Sequence, residues 1–347
     1  MYIHLTSPEN KSVVSQRTKE HISFMENGGT FQNSSASSLD WLHLERQGKE
    51  RSFPRPVIFT WETKNLPREN CRFLIVFSYD PDFKTCWSVS RNQQTYATAH
   101  FLLGQTVYWY VSAYYEDQLL CSSEIGEFSI DPIPPRWIQV EGLSNVRDLG
   151  GWLGMGGKRI RQGLIFRGCE MEFHHTITEK GKNTLLYDLQ IQTELDLREE
   201  AVGKIKQSAL GRHVNYFLIP AKAYGDFLKQ EEQMTCQKLF RLFLDKERYP
   251  FYIHCWGGAD RTGTLLFLLG GILGMSEKDL FLDYELTSFS IWGERSIHSK
   301  LFGSLLEGLQ SYGSKDDSLS QKCENYLLST GITTSELNAI RTLLLEH

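Results

Sequence analysis

Ten consecutive residues combine side chains able to do chemistry: His254-Cys255-Trp256-Gly257-Gly258-Ala259-Asp260-Arg261-Thr262-Gly263. A short apolar run, Phe251 to Ile253, precedes them, and an apolar helical run starts at Thr262. A strand that enters a helix through a glycine turn gathers several backbone N–H groups around one point. The helix N-terminus adds its positive end. Gly257 and Gly258 let such a loop curl tightly. The expected result is an anion cradle built from Trp256, Gly257, Gly258, Ala259, Asp260 and Arg261. Arg261 can hold two oxygens of a phosphate with its planar fork. Cys255 stands at the base of the cradle, where dipole, amides and guanidinium all favour the thiolate. Thr262 is placed to donate a hydroxyl hydrogen bond to that sulfur, and His254 to order the loop from behind. The chemistry is in-line attack of the thiolate on phosphorus, giving a cysteinyl-phosphate that water releases, with charge stabilised by the loop and Arg261. It needs no metal and no cofactor. A lone cysteine would be read as a buried structural thiol; here the whole set converges on one turn.

Such a reaction needs an acid for the leaving oxygen. Asp196, at the end of the Leu195-Asp196-Leu197-Arg198 run, is the first candidate; Asp260, inside the cradle, and Asp226, in IPAKAYGDF, are the others. Arg147 and Asp148 are expected to form a salt bridge that braces the loop, with Arg198 in a similar supporting part. His174 and His175 are adjacent, so their side chains diverge and offer no metal site. The glycine-rich GGWLGMGGKR fits no nucleotide-binding pattern and reads as a turn. Tyr284 is either near the mouth of the site or a half-buried helix aromatic. Lys222 and Arg295 are the candidate cations for a rim.

Two kinds of element surround this segment. Between about residues 40 and 131, alternating runs such as Val57/Phe59/Trp61, Phe73/Ile75/Phe77/Tyr79 and Val107/Trp109/Val111/Ala113 read as strands. Turn-like breaks at NLPREN, DPDFK and LLGQ separate them, and GGTFQNSSASS reads as a mobile loop. Aromatic-rich strands at this spacing suggest an all-β sandwich over residues 1–135. Its Tyr114 and Tyr115 serve either to bind a protein or glycan partner or to cover the sheet. DPIPPR, residues 131–136, forms the boundary, since three prolines enforce an extended connection. Residues 136–347 switch to strand–helix alternation, which argues for an α/β sheet flanked by helices. Strands are expected at Ile165–Phe166, Thr193–Leu197 and Phe251–His254. Helices are expected at Glu179–Tyr187, Phe227–Leu244, Thr262–Leu273 and Leu301–Leu309.

The 347 residues suffice for two domains, and the formal charge of −5 gives no global basic excess to draw nucleic acid. No apolar stretch is long enough to span a membrane. The seven cysteines are scattered, without a C-x-x-C pair. The opening residues lack a secretory pattern. The chain as read points to the cytoplasm, and a removed leader would point to export, so localisation stays open.

HCWGGADRTG resembles the HCxxGxxRTG loop of cysteine-dependent tyrosine and dual-specificity phosphatases, and more closely the HCxAGKDRTG loop of a bacterial group of them. EGLSNVRDLGGW resembles that group's opening N-x-R-D-L-G-G. GLIFRGCEM resembles its arginine–serine strand, with Arg167 in the arginine position and Gly168 in place of serine. TELDLREEAV resembles its D-L-R-x-x-x-E segment, which makes Asp196 the match to its proposed catalytic aspartate. TGITTSELNAIRTLLLE resembles its closing helix. The match spans about residues 137–345, and residues 137–347 alone are expected to turn over an aryl phosphate. The group's frequent lysine, associated with phosphoinositide substrates, is Ala259 here. The first 130 residues resemble a fibronectin type III domain, with Trp61 as the tryptophan of an early core strand. The resemblance implies a protein tyrosine or dual-specificity phosphatase. A phosphatase of small molecules such as inositol phosphates, or a non-catalytic phosphate-binding module, are the competing readings.

Overall fold

The computed structural model describes residues 1–29, 50–66 and 71–347. The loop expected from Thr30 onward and the last residues of the NLPREN break lie outside them. The chain divides into two compact units: Met1–Thr18 with Pro54–Pro134, and Lys19–Phe53 with Pro135–His347. The stretch Lys19–Phe53, which a single cut near residue 135 assigns to the first unit, therefore belongs with the second.

The first unit contains β1 (Tyr2–Ser7), β2 (Val13–Val14), β3 (Val57–Lys64), β4 (Cys71–Ser78), β5 (Trp87–Arg91), β6 (Thr95–Thr98), β7 (Thr106–Tyr115), β8 (Gln118–Ser122) and β9 (Gly126–Ile130). They form a three-stranded sheet, β1-β3-β6, and a second sheet ordered β2-β9-β7-β4-β5, with β8 also paired to β7. The pairings are antiparallel apart from β2 with β9. One face of each sheet is apolar by alternation. Phe59 and Trp61 from the first sheet share one core with Phe77, Val107, Trp109 and Phe128 from the second.

The second unit opens with α1 (Lys19–Glu26), followed by β10 (Arg136–Trp137), β11 (Arg147–Asp148), β12 (Ile165–Gly168), α2 (Glu179–Asn183), β13 (Thr193–Asp196), β14 (Asn215–Leu218), α3 (Gln233–Leu242) and β15 (Phe251–His254). Then come α4 (Arg261–Ile272), α5 (Glu277–Glu285), α6 (Lys300–Gln310), α7 (Leu319–Ser329) and α8 (Thr334–Leu344). The strands make one mixed sheet ordered β10-β11-β12-β15-β13-β14, with β12, β15, β13 and β14 parallel. Helices flank it. β15 is central and wholly buried, which its unbroken apolar run Phe251 to Ile253 requires. α4 is apolar nearly all round and buried throughout after Arg261, the pattern of a helix enclosed by its neighbours.

β10 and β11, two residues each, and β14 were not expected from the sequence. α3 begins six residues later than expected, because Lys229 takes an extended conformation between two short 3-10 turns. No described helix is long and apolar enough to cross a membrane.

Candidate active site

Parallel strands leave a crevice at their carboxyl ends, where chain direction puts the next loop. Here β15 ends at His254 between Gly168 of β12 and Asp196 of β13. The next six residues form the expected loop, and α4 starts at Arg261.

The carbonyl oxygens of residues 255 to 260 are all engaged by donors outside the cradle. Cys255 O contacts His254 Nδ1 at 3.1 Å, and Trp256 O accepts from Glu170 N at 2.9 Å. Gly257 O accepts from Asn145 Nδ2 at 2.8 Å, and Gly258 O from Arg167 Nη2 at 2.6 Å. Ala259 O lies 3.4 Å from the same guanidinium, and Asp260 O accepts from Thr264 N and Oγ1 at 2.8 Å each. Within a peptide unit N–H and C=O point in opposite directions, so carbonyls tied to the outside turn their amides toward the enclosed centre, an anion nest. Gly258 has φ +63°, and a Cβ there would run into the Gly168 carbonyl, so the tight curl requires glycine. At Gly257 a Cβ would meet the Trp292 ring at 2.6 Å.

Cys255, 4% exposed, opens onto a cavity of about 400 Å³. One wall is aromatic: Trp256 and Trp292, with the His174 ring 4.7 Å and 5.8 Å from theirs. The cavity is also lined by Lys222, Tyr224, Asp226, Asp260, Arg261 and Arg295. Arg261 is held in a bidentate pair by Glu200, both contacts 2.9 Å. The Arg261 bond holds the Glu200 carboxyl down at about 2, so it stays anionic at any working pH. Glu200 was not foreseen; its only trace in the sequence is the Glu199-Glu200 pair after Arg198. Thr262 is fully buried, and its hydroxyl finds no hydrogen-bond partner among the described residues, so the expected bond to the Cys255 sulfur is not formed.

The support behind the loop differs from expectation in its pairings. Arg147 does not pair with Asp148. Neighbours on a strand face opposite ways, and Arg147 turns to Asp283 (3.1 Å), while Asp148 takes Arg136 (2.8 Å). Asp283 also binds Arg167 at 2.7 Å, so one buried carboxylate anchors two buried arginines, one of which holds the loop. Burial opposes ionisation of Asp283, but the two guanidiniums win and keep it low.

His254 is fully buried and contacts Glu194 Oε1 at 2.9 Å. Burial disfavours its cation, yet the Glu194 bond and the Asp196 charge raise it to about 9.

Asp196 is not in the cavity. It is 0% exposed and bonded to Arg198 Nε (2.9 Å), Arg198 Nη2 (2.7 Å) and Tyr216 Oη (2.8 Å). Burial alone would raise its carboxyl, but His254 and Arg198 hold it below the usual range. A carboxylate so placed can neither reach a leaving group nor hold a proton for it. Arg198, also buried, ties Asp196 to Glu172 at 2.9 Å and stacks over Trp256 at 5.2 Å. Asp260 faces the cavity, but Arg295 grips it through Nε (2.9 Å) and Nη2 (3.2 Å), and Tyr224 Oη bonds it too. Asp226 lines the same cavity, its side chain 65% exposed and paired with Lys229. Tyr284 is buried, its hydroxyl 2.7 Å from that of Tyr224. His175 is buried 3.6 Å from Glu170, its ring 5.5 Å from that of the cavity-lining Trp292. Among the described residues no cluster of His, Cys, Asp and Glu could hold a metal.

Residues 138–346 match the tyrosine phosphatase family. A protein of Cupriavidus necator that carries the name of a tyrosine-protein phosphatase is 25% identical over 171 residues, 41% of this chain and 59% of its own length. The core catalytic domain of a PP-IP phosphatase from S. cerevisiae, solved with citrate, is 17% identical with a TM-score of 0.31, covering 44% of this chain and 79% of that one, a likeness too low to bear on substrate. With more than half its length matched and the loop geometry in place, the chain belongs to the tyrosine phosphatase family.

Proposed function

We propose that the protein hydrolyses phosphate monoesters of tyrosine side chains through a cysteinyl-phosphate. The observation that carries the reading is the run of outward-tied carbonyls from residue 255 to 260, which turns the loop amides onto the space above Cys255. The Cys255 thiolate attacks phosphorus; a P–S bond forms as the P–O bond to the leaving oxygen breaks. Loop amides, the α4 dipole and Arg261 stabilise the equatorial oxygens. Water then attacks phosphorus, the P–S bond breaks, and phosphate leaves.

The acid is assigned to Asp226. It lines the cavity, lies on the segment between β14 and α3, and among the described residues its carboxylate pairs with an exposed lysine alone, whereas both Asp260 oxygens are engaged by Arg295. Asp260 is then the residue that couples the loop to Arg295. The aromatic wall suits a phenyl phosphate ester. An inositol polyphosphate is poorly served: position 259 has no cation, Lys222 is paired with Glu199 (2.9 Å), and Arg295 with Asp260. For the first unit we propose a fibronectin type III-like sandwich with a protein or glycan partner, on its two sheets and shared core.

The test is a substrate panel without added metal, comparing phosphotyrosine peptides with inositol phosphates. Faster turnover of inositol phosphates would overturn the substrate reading, and activity lost in EDTA but restored by zinc or magnesium would overturn the mechanism.

A further inference from the structure

The stretch Lys19–Phe53 packs with the phosphatase unit although strands of the first unit precede and follow it in sequence. Its described ends make specific contacts. Ser52, 1% exposed, accepts a hydrogen bond from Asn145 N at 3.2 Å. Glu50 accepts from the Ser52 amide at 3.0 Å, from the Ser52 hydroxyl, and from the Ser144 hydroxyl. Asn145 is the residue whose side chain holds Gly257 O, and its backbone sits at φ +61°, a conformation that costs a non-glycine residue energy unless its surroundings fix it. Arg51 N donates to Phe289 O at 2.7 Å, and its guanidinium to Ser288 O at 3.2 Å. His21 and Phe24 of α1 pack on the Phe289 ring at 4.7 and 4.9 Å. From there the chain runs into Trp292, against Gly257, and Arg295, which grips Asp260 and is itself tied to Ser288 Oγ at 2.8 Å.

We infer that Glu50 and Ser52 are positioning residues for the catalytic loop, so the catalytic unit is completed by a segment from the N-terminal side of the chain. This rests on reading Cys255 as the nucleophile of a phosphatase. The mechanism is geometric. Ser52 fixes the Asn145 backbone, Asn145 fixes the Gly257 carbonyl, and that carbonyl fixes where the adjacent amide points. Misplacing an oxyanion donor by a fraction of an ångström weakens transition-state binding. The expectation that residues 137–347 suffice, drawn from the motifs alone, omits this brace.

The experiment uses the full chain. Ser52→Ala removes the acceptor for Asn145 N–H, and Ser52→Thr keeps it. Expected for Ser52→Ala is a fall in kcat of roughly 10-fold on an aryl phosphate, with weaker inhibition by vanadate, at a temperature well below Tm. Ser52→Thr should recover most of both. Glu50→Ala combined with Ser52→Ala should cost less than the sum of the two single changes, since both residues brace the same Ser144–Asn145 stretch. A residue that only holds the fold would lower Tm and leave kcat and the vanadate constant alone; that result overturns the inference. If wild-type protein turns over no phosphate ester at all, it is the phosphatase reading that fails. The brace is then read from vanadate affinity alone, where a Ser52→Ala value equal to wild type overturns it and a weakened one supports it.

Discussion

The two sides of the catalytic loop are built on opposite principles. Behind it, Asp196, Arg198, His254, Glu194, Arg147, Arg167 and Asp283 are charged or ionisable, almost wholly buried, and paired with one another. In front, Asp226, Lys222 and Glu200 are half in water, held by one ion pair each. Buried pairs cost desolvation and return fixed geometry; exposed pairs are weak and can exchange partners. The side that needs a fixed shape has the first kind, and the side that must admit and release a substrate has the second. Asp196 and Asp226 show the contrast within one residue type: Asp196 is wholly buried behind the loop, and Asp226 lines the cavity in front of it.

The largest effect expected is at the nucleophile. Cys255→Ser should cut turnover by roughly 10⁴-fold or more, because a hydroxyl is far less ionised than a thiol. Vanadate or phosphate binding and the melting temperature should stay near wild type. Near-wild-type turnover in this variant would end the mechanism.

Next is the rear anchor. Asp283→Asn leaves Arg147 and Arg167 buried without their counter-charge, at a cost of about 3–5 kcal/mol by analogy with broken buried pairs. Denaturant unfolding should show that loss, and turnover should fall with it. If stability hardly changes, the rear network is not the rigid element the comparison makes it.

The acid gives the sharpest contrast between the two sides. Asp226→Asn should slow phosphotyrosine hydrolysis by about 10²–10³-fold and an activated nitrophenyl ester far less, and should remove the basic limb of the pH–rate profile. Asp196→Asn should keep the basic limb and lower stability instead, since it strips a buried bond from Arg198. The reverse pattern would return the acid to Asp196. Loss of the basic limb only in Asp260→Asn would move it to the cradle.

The cradle was legible because its chemistry is contiguous: strand, thiol, glycines, arginine and helix follow one another in sequence. The pairings behind it were not. Arg147 with Asp148 is the natural guess from adjacency, yet strand alternation separates them, and Asp283 arrives from a helix more than 130 residues later. Glu200 escaped notice because a carboxylate on a short turn looks like any solvated charge until Arg261 is seen beside it. Asp196 matched a family motif but not a place in the cavity. In the fold, unbroken apolar runs such as those of β15 and α4 announced themselves, while the two-residue strands β10 and β11 have too few positions for a period to show.

The smallest effect tests whether all buried charge near the site is paid back by pairing. Glu285, 2% exposed, lies one residue beyond Tyr284, and among the described residues its carboxylate accepts one hydrogen bond, from Ile297 N at 3.1 Å. Burial pushes its carboxyl up to about 7, with the Glu294 charge adding to the rise and the Ile297 bond opposing it. A folded-state value above the unfolded one means that the protonated form is favoured on folding. That contribution is complete below about pH 4.5 and is lost as pH rises through 7. Glu285→Gln keeps an acceptor for Ile297 and removes the charge. It should leave stability nearly unchanged at pH 5 and raise it by about 1–2 kcal/mol at pH 8, a gain of a few degrees in melting temperature. His254 runs to a higher limit: its value is raised to about 9 by Glu194 and Asp196, so its contribution is complete below about pH 6.5 and persists, diminishing, until pH 9. A pH series on wild type and Glu285→Gln separates the two. The difference between the proteins should open around pH 7, while the loss common to both should continue toward pH 9. A variant no more stable than wild type at pH 8 would mean that the Glu285 carboxylate meets a counter-charge or water after all, and that the unpaired cost assigned to it is absent.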